Sequence, residues 1–376
     1  MRILVAPDKF RGSLEAGEVC KAMEAGIMLA YPEAEVIAME LADGGEGTMQ
    51  ILTRLAGGQQ VKAHVQDPLG RPIDAFYGIS SDGNTAYIEM AAASGLNLLD
   101  PSEHNPTQTS TFGTGQLVRL AVEGGVSKII LGIGGSATTD CGIGMAAALG
   151  YVFLDKEGNE LSPVGGNLHL VDRIDSENVI PELHSVSVTV ACDVTNPLYG
   201  ENGAAYVYGP QKGADQEMVA FLDNALRHFS EVATNQFHQD VSQVPGAGAA
   251  GGLGAGCLWF LNATLKNGVG IVMEQADIAS VIKKSDLVIT GEGKVDQQTL
   301  KGKVVKGLAD ICGEYNVPLA VVCGSLQISA RETRDAGVTY ATSILNAPMD
   351  LDAALSQAGQ LVEEATFNLV RLFFRK

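Results

Sequence analysis

Acidic side chains recur in this sequence where apolar runs end. Asp8 follows "ILVAP", Asp43 and Glu46 follow "VIAMEL", Asp193 follows "VTVAC", and Glu292 with Asp296 follow "LVIT". In open α/β sheets ligands bind beyond the carboxyl ends of the strands, so this placement points to a site rather than to a set of solvated turns. Carboxylates there suit Mg²⁺ coordination and a base that orients a hydroxyl. Cations lie near them although basic residues are sparse: Lys9 and Arg11 in the first loop, Lys212 in "GPQKGA", Lys294 in "GEGKVD", and Lys301 and Lys303 in "LKGK". Phosphoryl transfer is mainly positioning and charge neutralisation by such groups and by metal, so it is the chemistry these residues favour.

Two glycine-rich stretches could hold phosphate. "LGIGGSATTDCGIG" (131–144) lies between the apolar run "VSKII" and the helix-like "MAAALG". A strand, a glycine turn and a helix start present N–H groups to an anion. "PGAGAAGGLGAG" (245–256) allows close backbone approach. Gly132, Gly134 and Ala137 also satisfy a dinucleotide fingerprint, with Asp155 ending "YVFLD" near the required distance. Against that reading stands Asp140, whose carboxylate near the first helical turn would oppose a pyrophosphate unless a metal ion intervened. No Walker A loop or protein-kinase motif set is present, "GGSAT" fails the nucleophile-elbow pattern at Thr138, and the six histidines show no HxxxH zinc pattern. Ser136 is better placed as a hydrogen-bond donor to phosphate.

The elements that must position these groups read as alternating strands and helices. "RILVAPD" is a buried strand, Ser13 is placed to cap a helix over 14–31, and "AEVIAMEL" is a second strand. From about residue 59 the texture changes: "QQVKAHVQDPLGRPIDAFYGIS" alternates about a "DPLGRP" turn and predicts an antiparallel hairpin. "TAYIE" and "SVSVTVACDV" are further strands, and 216–238 is a polar helix. Regular alternation returns with "SDLVITGEG", a helix over 300–313, "VPLAVVCGS", "VTYATSI" and a closing helix from 351. The pattern predicts an α/β protein in which a doubly wound parallel-sheet domain (1–58 plus 262–376) carries an inserted mixed α/β domain (59–261).

Composition narrows the partners. A formal net charge of −19 opposes a nucleic-acid or anionic membrane surface. No apolar segment reaches the roughly 20 residues of a membrane span. Six cysteines without a CxxC pair read as reduced, mostly buried thiols, which places the chain in the cytoplasm. Trp259 in "CLWFLNATL" reads as core. The sequence sets no oligomeric state, and a homodimer is compatible with it.

The ordered series "APDKFRGSL", "ADGGEGT", "IEMAAASGL", "FGTG", "GIGGSATTDCGIGMA", "ACDVTNPLYGENGAA", "GPQKGA", "GAAGGLGAG" and "VITGEGKVDQQTLKGK" resembles the bacterial glycerate kinases of the class without a Walker A loop, over nearly the whole chain. The resemblance implies ATP- and Mg²⁺-dependent phosphorylation of D-glycerate, with 2-phosphoglycerate favoured as product, in glyoxylate or sugar-acid catabolism. It also implies a flavodoxin-like domain with a restriction-endonuclease-like insertion. Three positions depart from the family pattern: Arg11 for lysine, Cys141 for glycine and Val305 for proline.

The expected roles follow. Asp193 is the base, with Arg11, Lys212 and Lys294 as cations for the substrate carboxylate or developing charge. Asp8, Lys9, Asn196, Gly44 and Gly45 contact the acid substrate. Gly134, Gly135, Ser136, Thr138, Gly251 and Gly252 hold nucleotide phosphates, and Asp43, Asp296 and Asp140 are the metal-linked acids. A kinase for another small hydroxy acid predicts ADP formation with that acid, a non-catalytic sensor predicts binding without ADP, and a dehydrogenase predicts an NAD(P)H-linked absorbance change.

Overall fold

The apolar runs become strands in two separate main sheets of the computed structural model, which describes residues 1–42, 47–297, 299 and 304–374. In chain order the strands are β1 (Arg2–Val5), β2 (Glu35–Ala38), β3 (Gln59–Gln66), β4 (Pro72–Ile79), β5 (Thr85–Glu89), β6 (Lys128–Gly132), β7 (Val152–Leu154), β8 (Arg173–Asp175), β9 (Ser187–Ala191), β10 (Thr264–Lys266), β11 (Leu287–Val295), β12 (Leu319–Leu326) and β13 (Tyr340–Ser343). The chain divides into two units, Met1–Asp43 with Val269–Lys376, and Gly44–Gly268.

In the first unit the sheet order is β13-β12-β11-β1-β2, and every pairing is parallel. Counted along this unit, the strand order is 2-1-3-4-5, the flavodoxin-like doubly wound arrangement. Ile3 stands opposite both Leu287 and Val36. Parallel strands covered on both faces must be apolar throughout, which is why "RILV" and "LVIT" show no alternation. Ile3, Val5, Leu287 and Ile289 pack with Val19, Met23 and Ile27 of helix Ala16–Ala30 and with Leu361, Val362 and Leu369 of helix Ala358–Phe373. These two helices touch closely at Gly26, where a Cβ would lie 2.3 Å from the Glu363 carbonyl oxygen.

In the second unit the order is β10-β9-β6-β5-β4-β3. β3, β4 and β5 are antiparallel, and β5, β6, β9 and β10 run parallel. The hairpin pairs Gln59 with Ile79 through to Gln66 with Pro72, as its alternation predicts. Trp259 is 5% exposed in an aromatic core that includes Phe153, Phe229 and Phe260. The α/β class expected from the sequence is therefore what the chain folds into.

Several local expectations change. Helix Ala16–Ala30 begins two residues later than a Ser13 cap would place it. The Ser13 hydroxyl donates to the Phe10 carbonyl at 3.1 Å, and Glu18 instead accepts the N–H of Glu15 at 2.9 Å. The closing helix is two helices, Leu351–Ser356 and Ala358–Phe373. The units divide at 43/44 and 268/269, where the sequence texture suggested 58/59 and 261/262. Helix Thr48–Leu55 packs on β3, β4 and β5, and β10 pairs with β9, so both segments join the second sheet.

Candidate active site

In the second unit, β6 ends at Gly132 beside Glu89, the last residue of β5, and Ala191, the last of β9. The glycine-rich loop starts from this edge. Gly134 and Gly135 are exposed, and a Cβ on Gly134 would meet open space. From Ser136 to Asp140 the loop is buried. Its neighbours hold it along its length: Leu96 N–H donates to the Gly135 carbonyl at 2.9 Å, Ala137 N–H to the Ser94 carbonyl at 2.9 Å, and the Thr109 hydroxyl to the Ala137 carbonyl at 2.9 Å.

Asp140 sits at the root of this loop with no exposure. Its Oδ2 accepts the Thr111 N–H and hydroxyl, each at 2.7 Å, and the Gly144 N–H at 3.2 Å, while Oδ1 accepts the Gly142 N–H at 3.2 Å. The Thr111 hydroxyl in turn accepts the Met145 N–H at 2.8 Å. Thr111 and Gly142 cap helices Phe112–Glu123 and Ile143–Ala148. The helix start expected to face a phosphate therefore faces the chain's own carboxylate. Burial raises the Asp140 pKa, and the hydrogen bonds from Thr111, Gly142 and Gly144 oppose that shift. The turn around this carboxylate is left-handed at Cys141 (φ 53°) and Gly142 (φ 76°), a conformation that glycine adopts more readily than cysteine.

Two further motifs close over the same loop. Lys212 is 1% exposed, and its Nζ donates to the Thr138 carbonyl at 2.6 Å. Burial pulls its ammonium down to about 7, with the Asp140 charge acting in the opposite direction. Ala250, Gly251 and Gly252 are consecutively left-handed. A Cβ on Gly251 would lie 2.0 Å from the Thr138 carbonyl oxygen, and one on Gly252 2.9 Å from Leu198 and 3.1 Å from Cys141. Cys141 N–H donates to the Gly251 carbonyl at 3.1 Å. Gly251 and Gly252 of "GAAGGLGAG" are thus accounted for by loop-against-loop packing, and both are buried. The Thr138 and Thr139 hydroxyls are buried without a hydrogen-bond partner among the described residues.

Asp193 follows β9 and is exposed, with Oδ1 accepting the Gly268 N–H at 2.8 Å. Both ends of the Asn196 amide are engaged: Nδ2 donates to the Asn202 carbonyl at 2.8 Å and Oδ1 accepts the Tyr208 hydroxyl at 2.7 Å. Glu89 was not among the expected site residues. Its Oε1 accepts the N–H groups of Gly47 (2.9 Å) and Met49 (3.1 Å), fixing the start of helix Thr48–Leu55 beside the glycine loop. The strand-end rule that selected Asp8 and Asp193 would have found it at the end of "TAYIE". Thr111 was also missed, although Ser or Thr before a helix is the ordinary signal for a cap.

In the first unit a second cluster lies where β1 and β11 adjoin, the switch point of the flavodoxin-like order. Asp8 N–H donates to the Gly291 carbonyl at 2.9 Å, and Asp8 Oδ1 accepts the Lys9 N–H at 2.7 Å. Asp8 and Glu292 are each 8% exposed. Arg11 is exposed, its backbone N lying 3.2 Å from where a Gly293 Cβ would be. Lys294 and Asp296 form an ion pair at 2.9 Å. Asp43, Gly44, Gly45, Glu46, Lys301 and Lys303 lie outside the described residues. Among the described residues no three His, Cys, Asp or Glu side chains gather as a metal-ligand set, and no helix is long and apolar enough to cross a membrane.

The dinucleotide alternative loses its acid. Asp155 follows β7, which pairs with β8 in a two-stranded sheet apart from the main sheet, and its carboxylate accepts the N–H groups of Glu157 and Asn159 at 3.0 and 2.8 Å. Fold and loop together define an α/β protein whose glycine turn leaves a short backbone stretch exposed at the carboxyl end of a parallel strand. A profile of the glycerate kinase family matches residues 3–374, and the chain belongs to that family. The chain is 43% identical over 369 residues to glycerate 2-kinase of Escherichia coli K12, covering 98% of this chain and 97% of the relative. It is 43% identical over 363 residues to glycerate kinase of Bacillus subtilis 168, covering 96% and 95%. A crystal structure described as glycerate kinase 2 from Salmonella typhimurium LT2 superposes with a TM-score of 0.90 at 41% identity, covering 99% of this chain and 98% of that one. The protein is a kinase.

Proposed function

We propose that this kinase transfers the γ-phosphoryl group of ATP to D-glycerate, giving 2-phosphoglycerate within sugar-acid or glyoxylate catabolism. The observation that carries the reading is the exposed Gly134–Gly135 turn at the carboxyl end of β6, braced by three other motif segments in a chain of this family. Its support is physical: the turn offers backbone to phosphate oxygens without an intervening side chain, and Ser136 adds a hydroxyl. Gly134, Gly135 and Ser136 are assigned to the nucleotide phosphates. Thr138, Gly251 and Gly252, being buried, are assigned to bracing the turn, as is Asn196 to its own loop.

Asp193 is assigned as the base that accepts the glycerate hydroxyl proton as that oxygen bonds to phosphorus and the bridging oxygen leaves with ADP. At the β1/β11 switch point, Arg11, Lys9 and Lys294 are assigned to anionic oxygens, with Asp8 orienting the Lys9 backbone. Mg²⁺ commonly uses one or two carboxylates together with water and substrate phosphates, so Asp296 fits it without a three-acid cluster. Its chemistry when bound is neutralisation of phosphate charge. With Asp296 so engaged, Lys294 would be placed to neutralise a substrate oxygen instead. Asp140, whose oxygens already accept four hydrogen bonds, is left out of the metal set.

The test is incubation with D-glycerate, ATP and Mg²⁺ followed by ³¹P NMR of the product. A 2-phosphoglycerate resonance with stoichiometric ADP is expected. A 3-phosphoglycerate resonance would refute the regiochemistry, and absence of ADP would refute the function.

A further inference from the structure

We propose that Asp140 is a positioning residue: its carboxylate engages, from inside the protein, the N–H and hydroxyl donors gathered at the root of the glycine loop, and so confines phosphate contact to Gly134–Ser136. The inference rests on the reading that nucleotide phosphates meet this loop.

The geometry is specific. One carboxylate gathers the Thr111 N–H and hydroxyl, and the Gly142 and Gly144 N–H groups, and through the Thr111 hydroxyl it reaches the Met145 N–H. Helix-start N–H groups carry partial positive charge and lack intrahelical partners, so an anion is favoured there. With Asp140 in place, a phosphate at the same point would meet like charge and engaged donors. The loop tip carries neither hindrance, because Gly134 and Gly135 are exposed while everything from Ser136 to Gly142 is buried.

Lys212 completes the arrangement. Its buried ammonium holds the Thr138 carbonyl, two residues before Asp140, and its charge interacts with that of Asp140. An internal cation thus braces the same loop root that carries the internal anion, and each charge favours the other. The Thr111 hydroxyl, donor to Asp140 and acceptor from Met145, ties this root to two helices at once.

The experiment measures binding of a non-hydrolysable ATP analogue with Mg²⁺ by calorimetry, and steady-state KM for ATP and for D-glycerate, in wild type, Thr111→Val, Thr111→Ser and Lys212→Met. Thr111→Val keeps the side-chain shape and the backbone N–H but removes both hydroxyl hydrogen bonds. It is expected to weaken analogue binding and raise KM for ATP about tenfold, the equivalent of one hydrogen bond to a charged group, with KM for glycerate unchanged. Thr111→Ser is expected to restore wild-type values, and Lys212→Met to weaken analogue binding without lowering the melting temperature. Equal analogue binding by wild type and Thr111→Val would overturn the proposal, as would parallel changes in both KM values or failure of Thr111→Ser to rescue. If wild type itself binds no analogue, the nucleotide reading fails instead, which keeps the two failures distinct.

Discussion

The two clusters of chemistry-bearing residues are built on opposite plans. Around the glycine loop of the second unit, Asp140 and Lys212 are buried, their hydrogen bonds go to backbone groups and to the Thr111 hydroxyl, and three loops interlock at distances that exclude a side chain on Gly251. At the β1/β11 switch point of the first unit, Arg11 is exposed and Lys294 and Asp296 pair at the surface with side chains 54% and 25% exposed. A buried charge needs several fixed partners, so the first plan yields a rigid frame whose geometry is set before a ligand arrives. A surface pair in water is held weakly and can exchange partners. The contrast suggests a division between a preformed phosphate turn and cations that rearrange on binding.

That contrast can be broken at four points. Asp193→Asn is expected to lower kcat by roughly 10²–10⁴-fold with an unchanged circular dichroism spectrum, the usual size of a general-base effect. Wild-type turnover would remove Asp193 from the mechanism. Gly251→Ala tests the rigid frame: its left-handed φ of 68° and the 2.0 Å approach of Thr138 predict destabilisation of at least about 3 kcal/mol in urea unfolding. A loss below 1 kcal/mol, on the order of one backbone conformational penalty alone, would mean that the loops can part.

Lys212→Met separates stability from function. The ammonium titrates at about 7 when folded against an ordinary 10.5, so the unfolded chain binds more protons between those values. This group's contribution to stability is therefore fully present above pH 10.5 and is lost as pH falls towards 7. Replacing it with methionine is expected to raise stability below pH 7 by about 1–4 kcal/mol, flatten the rise from pH 7 to 10, and reduce kcat/KM. A destabilised variant with unchanged kcat/KM would show that Lys212 serves the fold alone. Smallest is Lys294→Gln, expected to move unfolding free energy by less than about 0.5 kcal/mol, as for an exposed pair, while raising KM. A stability loss of several times that size would erase the distinction between the two clusters.

Much of this organisation is legible in the residues. The hairpin at 59–79 and the parallel strands could be read because alternation and continuous apolar runs report one-sided and two-sided burial directly. The strand-end acids Asp8 and Glu292 pointed to the β1/β11 cluster, and the glycine motifs to the loop of the second unit. What Asp140 does could not be read: an acid at a helix start looks the same whether it faces a metal or folds back on its own helix. The answer depends on Thr111, 29 residues away in sequence, and on Lys212, 74 residues from the Thr138 carbonyl it holds. The glycines at 251 and 252 announced a close approach, but not that the approaching group is protein. Cys141 seemed a departure of unknown effect; its φ of 53° makes it a mildly strained substitute for glycine.

The interrupted composition of the first unit has a consequence for synthesis. β1 lies between β2 and β11, and helix Ala16–Ala30 packs against helix Ala358–Phe373. On the ribosome, the first strand emerges long before its partner at Leu287–Val295 exists. At roughly 5–20 residues per second, the apolar stretch Ile3–Val5 waits on the order of tens of seconds for a permanent neighbour on that side. The continuous segment 44–268 is free to fold during that interval. Chaperone demand during translation should therefore concentrate on the amino-terminal strand and helix, and relax once the carboxyl-terminal helix is released.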